Sequence, residues 1–279
     1  MGPTPPIQAL LSTSASGPSD RASVALSGMA IMSTHPKDFE RVRDLSHDLK
    51  LHQPDDLKIV PCFGVHPWWV SELTQEDWQE DSARDALPRW LVEVEDMLVT
   101  YPHSIVGEIG LDGFHFDRAT GGLKAPMAKQ VEVFRLQMEL AAKHQRPVSI
   151  HTVQCFGVLM DTLSIIKKST VKLPPKMYFH AFGGKQGTID QLLALCGREP
   201  GKVYFGFAPV INFRSPKTAD VVRKVGLDRL VLESDHEDAQ FVPKSIEDCV
   251  DFLASSLDVG EEEVIQQTTR NAFSFYGLD

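Results

Sequence analysis

Short runs of apolar or alternating residues recur along the chain, separated by longer stretches in which apolar residues return every three or four positions. The first pattern suits strands buried on one or both faces, the second helices with one face against a core. Strands are predicted over Val24–Met32, Lys58–Val65, Ser104–Ile109, Pro147–His151, Lys176–His180, Lys202–Phe207 and Arg229–Glu233, most of them bounded by turn residues. Helices are predicted over Asp38–Leu49, which opens on an acidic cap, and over Leu87–Thr100, Lys129–His144, Ser245–Leu257 and Glu261–Phe273. In Lys129–His144 the apolar stripe is carried by Phe134, Met138 and Ala141.

A strand followed by a helix, repeated, makes neighbouring strands parallel, because each helix must cross back over the sheet. A doubly wound open sheet and a closed barrel both satisfy that rule. The glycine-rich phosphate loops of the nucleotide-binding doubly wound folds are absent, whether G-x-G-x-x-G after a strand or G-x-x-x-x-G-K-[ST]. The expected fold class is therefore α/β, a TIM-type (β/α)8 barrel, with its working residues at the C-terminal ends of the strands. Only seven strands are predicted, and the segment ahead of Val24 is rich in Pro, Gly, Ser and Thr, with one apolar cluster at Ile7–Leu11. Residues 1–22 are expected to be irregular or a short helix, and residues 23–279 a single barrel domain lacking a regular first strand.

Composition narrows the function classes. With 279 residues and 42% hydrophobic content the chain can bury one large core, and no composition break marks a linker. A net charge of -10 argues against holding nucleic acid by a basic surface, so phosphate chemistry would need a local cation. Cys62, Cys155, Cys196 and Cys249 are scattered and form no C-x-x-C pair, which favours a reducing compartment. No apolar run approaches the roughly 18 residues of a membrane helix. The expectation is an intracellular protein, cytoplasmic or nuclear, with no membrane partner.

Metal-competent side chains fall where the predicted strands stop. Glu108 follows Ile105-Val106-Gly107, His151 closes Pro147-Val148-Ser149-Ile150, His180 follows Tyr178-Phe179, and Asp235 follows Leu230-Val231-Leu232-Glu233-Ser234. Histidine nitrogens and carboxylate oxygens suit zinc, manganese and similar divalent ions, and such ions generate a hydroxide nucleophile near neutral pH. Any one of these residues alone is more often a hydrogen-bonded structural group. Four in this order and phase point to a metal site.

The set Gly64-Val65-His66-Pro67, Gly107-Glu108-Ile109-Gly110-Leu111-Asp112, His151, His180-Ala181-Phe182-Gly183-Gly184 and Glu233-Ser234-Asp235 resembles the TatD-related hydrolases of the amidohydrolase-type barrel superfamily. The resemblance runs from about Val24 to the C-terminus, where Asn271-Ala272-Phe273 stands in the place of the family's closing helix motif. Pro61-Cys62-Phe63-Gly64-Val65-His66-Pro67-Trp68 is similar to a fungal branch described as partners of a cell-cycle ubiquitin-ligase (anaphase-promoting complex) subunit. The resemblance implies hydrolysis of phosphodiesters, DNA or a small phosphoester, by water activated on up to two divalent ions (Zn, Mg or Mn). It implies Glu108, His151, His180 and Asp235 as metal ligands, with Glu108 bridging, His151 and His180 completing one site, and Asp235 in the other. Glu108 and Asp235 would then be catalytic, Asp235 taking a proton from the attacking water. His66 would bind substrate beside the phosphate, or else be a structural histidine held by Pro67 and Trp68.

The chain also departs from that family. Members begin with a strand ending in H-x-H, and no two histidines here are two residues apart. Either the chain is a shortened product or its barrel closes in another way. One well-formed metal site is expected, from Glu108, His151 and His180, where a full-length member has two. Many members carry an arginine two residues after the strand-end histidine, where this chain has Val153. His236 and Glu237 are either substitute ligands or part of a solvated loop, and Glu233 should point into the barrel, where it needs a partner. Three functions stay open: a metal-dependent hydrolase impaired by the lost ligands, a degenerate barrel that binds a protein partner in a cell-cycle assembly, and another amidohydrolase-type activity on a small amide or ester, since the fold does not fix the substrate.

Overall fold

A computed structural model describes residues 26–52, 57–81, 84, 86–169, 172–236 and 238–278. The expectations for residues 1–22, for Val24 of the first strand and for Glu237 lie outside the described residues. Seven parallel strands lie in one curled sheet in chain order: β1 (Gly28–Met32), β2 (Lys58–Phe63), β3 (Ile105–Asp112), β4 (Val148–Val153), β5 (Met177–Phe179), β6 (Val203–Phe207) and β7 (Leu230–Leu232). Helices α1 (Phe39–His52), α2 (Arg89–Thr100), α3 (Met127–Lys143), α4 (Phe156–Lys168), α5 (Gln186–Cys196), α6 (Thr218–Val225), α7 (Val242–Leu257) and α8 (Glu261–Tyr276) accompany the strands. This is the βα succession of a TIM-type barrel. A short antiparallel pair, Glu80–Asp81 with Leu87–Pro88, precedes α2.

The strands read as near-continuous apolar runs because both faces of the sheet are covered. Outward-facing Phe63, Val106, Val148, Phe179 and Phe205 pack with helix residues such as Trp90, Phe134, Met138 and Leu163. Inside the curl a second cluster gathers Val60, Cys62, Ile105, Tyr178, Tyr204 and Val231. Its last member is Phe275, from the final helix, which is fully buried against the rings of Tyr178 and Tyr204 at 5.5 and 5.6 Å.

Among the described residues β1 and β7 form the two ends of the sheet and do not pair with each other. The end of α8 packs there. Ala30 and Met32 of β1 rest on the cluster that includes Phe275, together with Tyr276 and Leu278. Asn271 donates to the carbonyls of Leu227 and Leu230 at 2.9 and 2.8 Å, and the Tyr204 hydroxyl donates to Ser274 Oγ at 3.1 Å. Three strands stop short of their predicted ends, β2 at Phe63, β5 at Phe179 and β7 at Leu232, so His180 and Glu233 stand just beyond their strands. Two strands outrun their predicted ends, β3 beyond Ile109 to Asp112 and β4 beyond His151 to Val153. Glu108 and His151 therefore sit within strands and not at their last residues.

Candidate metal centre

Glu108 reaches the centre of the site because β3 is irregular around it. The pairing of β3 with β4 shifts register between Val106 and Ile109, and the Glu108 N–H donates to the Ser33 carbonyl beyond β1 at 3.1 Å. A bulge of this kind re-aims a side chain that the strand's alternation would place elsewhere. Gly110, two residues on, holds φ at +151°, and a Cβ there would lie 2.0 Å from the His151 carbonyl oxygen. Only glycine lets the two strands approach so closely beside the site.

Three imidazoles converge on one oxygen of Glu108. Its Oε1 lies 3.2 Å from His66 Nε2, 3.2 Å from His151 Nδ1 and 2.6 Å from His180 Nε2. The approaching nitrogens of His151 and His180 are 3.3 Å apart. Glu108, His66 and His151 each offer a ligand atom within 4.8 Å of the others. Asp235 stands at the edge, 3.9 Å from His180 Nδ1, with 30% of its side chain exposed. It takes a left-handed φ of 54°, three residues after β7.

The second nitrogen of each ring decides what the first can do. His151 Nε2 faces Asp112 Oδ2 at 3.0 Å, which holds a proton there and leaves Nδ1 as the nitrogen that can exchange its proton for a cation. His180 Nδ1 faces Glu233 and Asp235, each at 3.9 Å, which leaves Nε2 for the cluster. His66 is arranged the other way round. Its Nδ1 accepts the Trp68 N–H at 3.3 Å, so Nε2 carries the proton and donates toward Glu108. His151 and His180 donate to Glu108 while protonated and would offer those same nitrogens as lone pairs to a cation that displaced the protons, whereas His66 stays a donor.

Charge follows the same geometry. Burial pushes the Glu108 carboxyl up, but His180 and His66, with hydrogen bonds from His151 and His180, outweigh it and hold the group well below the usual range. Burial would lower His180, and the charges of Glu108, Glu233 and Asp235 instead raise it to about 10. His151 is also raised, Asp112 and Glu108 outweighing its burial. For His66 burial prevails and the pKa falls despite Glu108. The buried carboxylate is thus balanced by imidazolium charge. A divalent cation can replace those protons, since metal ligation and protonation compete for the same lone pairs. The donor set fits such an ion.

Asp112 is a partner that sequence spacing did not assign. It is buried, its Oδ2 also accepts Trp68 Nε1–H at 2.6 Å, and its Oδ1 accepts the N–H groups of Phe114 and His115 at 2.6 and 2.9 Å. Glu233 finds its partners inside the barrel, accepting the Tyr178 hydroxyl and the Ala181 N–H, the latter at 2.6 Å. Burial raises its carboxyl to about 7. His236 stays out of the cluster and packs on the Phe241 ring at 5.5 Å.

Fold and donor set together define a metal-dependent hydrolase of the barrel type. The chain belongs to the TatD related DNase family, whose model matches residues 19–277. It is 26% identical to the Cut9-interacting protein scn1 of Schizosaccharomyces pombe, over 91% of this chain and 92% of that protein. It is also 26% identical to Deoxyribonuclease TATDN3 of Homo sapiens, over 89% of this chain and 83% of that protein. A crystal structure of YJJV, a TatD homologue from Escherichia coli, superposes with a TM-score of 0.69 at 21% identity, covering 91% of this chain and 87% of the other. Among the described residues no helix is long and apolar enough to cross a membrane.

Proposed function

We propose that this protein hydrolyses phosphodiesters, with DNA as the substrate class, at a single divalent-metal site made by Glu108, His151 Nδ1 and His180 Nε2. The observation that carries the reading is the convergence of those two ring nitrogens, 3.3 Å apart, on the Glu108 carboxylate. When bound, a divalent ion such as Zn, Mg or Mn supplies positive charge that acidifies water and offsets charge building on phosphoryl oxygens. Three protein ligands are enough for a catalytic site of this kind. Asp235, partly exposed at the edge, accepts the proton of the attacking water. His66 holds its Nε2 proton toward the cluster and donates it to a substrate phosphoryl oxygen, which suits substrate binding better than ligation. The free cysteines fit a reducing compartment, cytoplasm or nucleus.

Purified protein incubated with end-labelled DNA and Mg²⁺, Mn²⁺ or Zn²⁺ should release product, and Glu108→Ala should lower the rate by about a hundredfold or more, the scale of losing a transition-state charge contact. Equal rates in the two proteins would refute the reading. One observation favours a second reading, a barrel that binds a protein partner: the relative named for interaction with Cut9 covers nearly the whole chain. A protein that gains no stability from any of the three ions would support it.

A further inference from the structure

The segment after Asp112 alternates strictly in exposure. Phe114, Phe116 and Arg118 face solvent, whereas His115 and Asp117 are turned partly inward. His115 stacks on Trp68, ring centres 4.5 Å apart and planes 15° apart. Asp117 ties the turn: its N–H donates to the Gly122 carbonyl at 2.8 Å, its carbonyl accepts from Gly121 at 2.8 Å, and its carboxylate accepts from Ala119 and Thr120. Phe116 bridges antiparallel to Leu123, and Lys124 N–H donates to the His115 carbonyl at 2.9 Å. The result is a small built hairpin, not a slack loop.

Its outer face is costly for a protein that needs it for nothing else. Phe114 and Phe116 keep 57% and 51% of their surface in water, with ring centres 5.8 Å apart. Arg118 follows two residues on, exposed at the start of the turn, and forms no ion pair among the described residues. Two exposed rings followed by an unpaired guanidinium form a surface on which bases stack while a phosphate meets the cation. The hairpin hangs directly on the site, because the Phe114 and His115 N–H groups bind the carboxylate that also holds His151.

We infer that Phe114 and Phe116 form a base-stacking platform that grips a single-stranded nucleic acid beside the metal centre, with Arg118 on its backbone. This rests on the phosphodiester-hydrolase reading and names how the substrate is held. A chain of net charge -10 has little capacity for the many phosphate contacts that duplex binding uses, whereas stacking needs few cations. Stacking also needs bases that are free of a partner strand.

The test is fluorescence anisotropy of the intact protein with a 5′-labelled, phosphorothioate single strand of mixed sequence, set beside an abasic strand of equal length. Phe114→Ala/Phe116→Ala should weaken binding of the base-bearing strand by about tenfold or more. Phe114→Trp/Phe116→Trp should restore it, and the abasic strand should bind the unaltered protein as poorly as the double alanine variant binds the base-bearing one. Equal binding of the base-bearing strand by unaltered and alanine proteins would overturn the platform, as would equal binding of the two strands. No binding of either strand would also overturn it. Failure here is separable from failure of the hydrolase reading. Anisotropy needs no turnover, and hydrolysis of bis(p-nitrophenyl) phosphate, compared with Glu108→Ala, reads the metal site without a nucleobase.

Discussion

At the scale of the residue, the site depends on which nitrogen of each histidine carries its proton. Asp112 settles this for His151, and its other contacts hold the carboxylate still while it does so. Asp112→Asn keeps the shape but offers an amide that cannot hold the imidazole in the same way. Removing such an outer partner typically costs 10–100-fold in metal affinity. Asp112→Asn should therefore weaken Zn²⁺ by about that factor in competition with a chromogenic chelator, whereas His66→Gln should leave the affinity nearly unaltered, because His66 offers a donor and no lone pair. A fall of the same size for His66→Gln would make it a ligand. Little of this distinction was legible in the sequence. Glu108, His151 and His180 stood out because each interrupts an apolar run. Asp112 meets His151 across 39 positions, and no spacing rule announces that contact.

At the scale of the element, buried polar side chains fasten helices to the rim. Gln137 of α3 accepts the Val65 N–H at 2.7 Å and donates to its carbonyl at 3.1 Å, fixing the chain one residue before His66. Gln130, two turns earlier, does the same for Asp112. An apolar stripe of Phe134, Met138 and Ala141 located α3 in the sequence, but a glutamine on that stripe looks like solvent-facing surface until its partners are known. Glu95 joins α2 to α3 in a similar way, meeting His144 Nε2 at 2.6 Å, Lys143 Nζ at 3.1 Å and Arg84 at 2.9 Å. Burial would raise its carboxyl, but those partners hold it at about 2, below its ordinary 4.5. A depressed folded-state pKa adds stability above the unfolded-state value that is lost as pH falls through the folded-state value. Glu95→Gln should therefore cost on the order of 2 kcal/mol in urea unfolding at pH 7. The gap should narrow as pH falls from about 4.5 toward 2, and a constant gap across that window would show that charge contributes nothing.

At the scale of the whole molecule, the βα succession was legible because both faces of each strand are buried and the runs are almost wholly apolar. How the barrel's open side is occupied was not legible. Phe275 belongs to an amphipathic helix, and only the assembled sheet shows that its ring enters the interior between Tyr178 and Tyr204. The three ligand groups stand on β3, on β4 and just beyond β5, so an ion held among them links elements far apart in sequence. An ion that binds the folded chain and not the unfolded one stabilises the whole by mass action, about 2.7 kcal/mol when its concentration is a hundred times its dissociation constant. For a domain of this size that corresponds to a rise in Tm of roughly 5–10 °C. Thermal unfolding in saturating Zn²⁺ or Mn²⁺ against chelator should show a rise of that order in the unaltered protein and none in Glu108→Ala. An equal rise in both would place the ion elsewhere on the surface. A rise confined to the unaltered protein, without DNA hydrolysis, would keep the metal site and move the function toward binding, because the same charge that activates water can also serve only to hold three strands of the barrel in place.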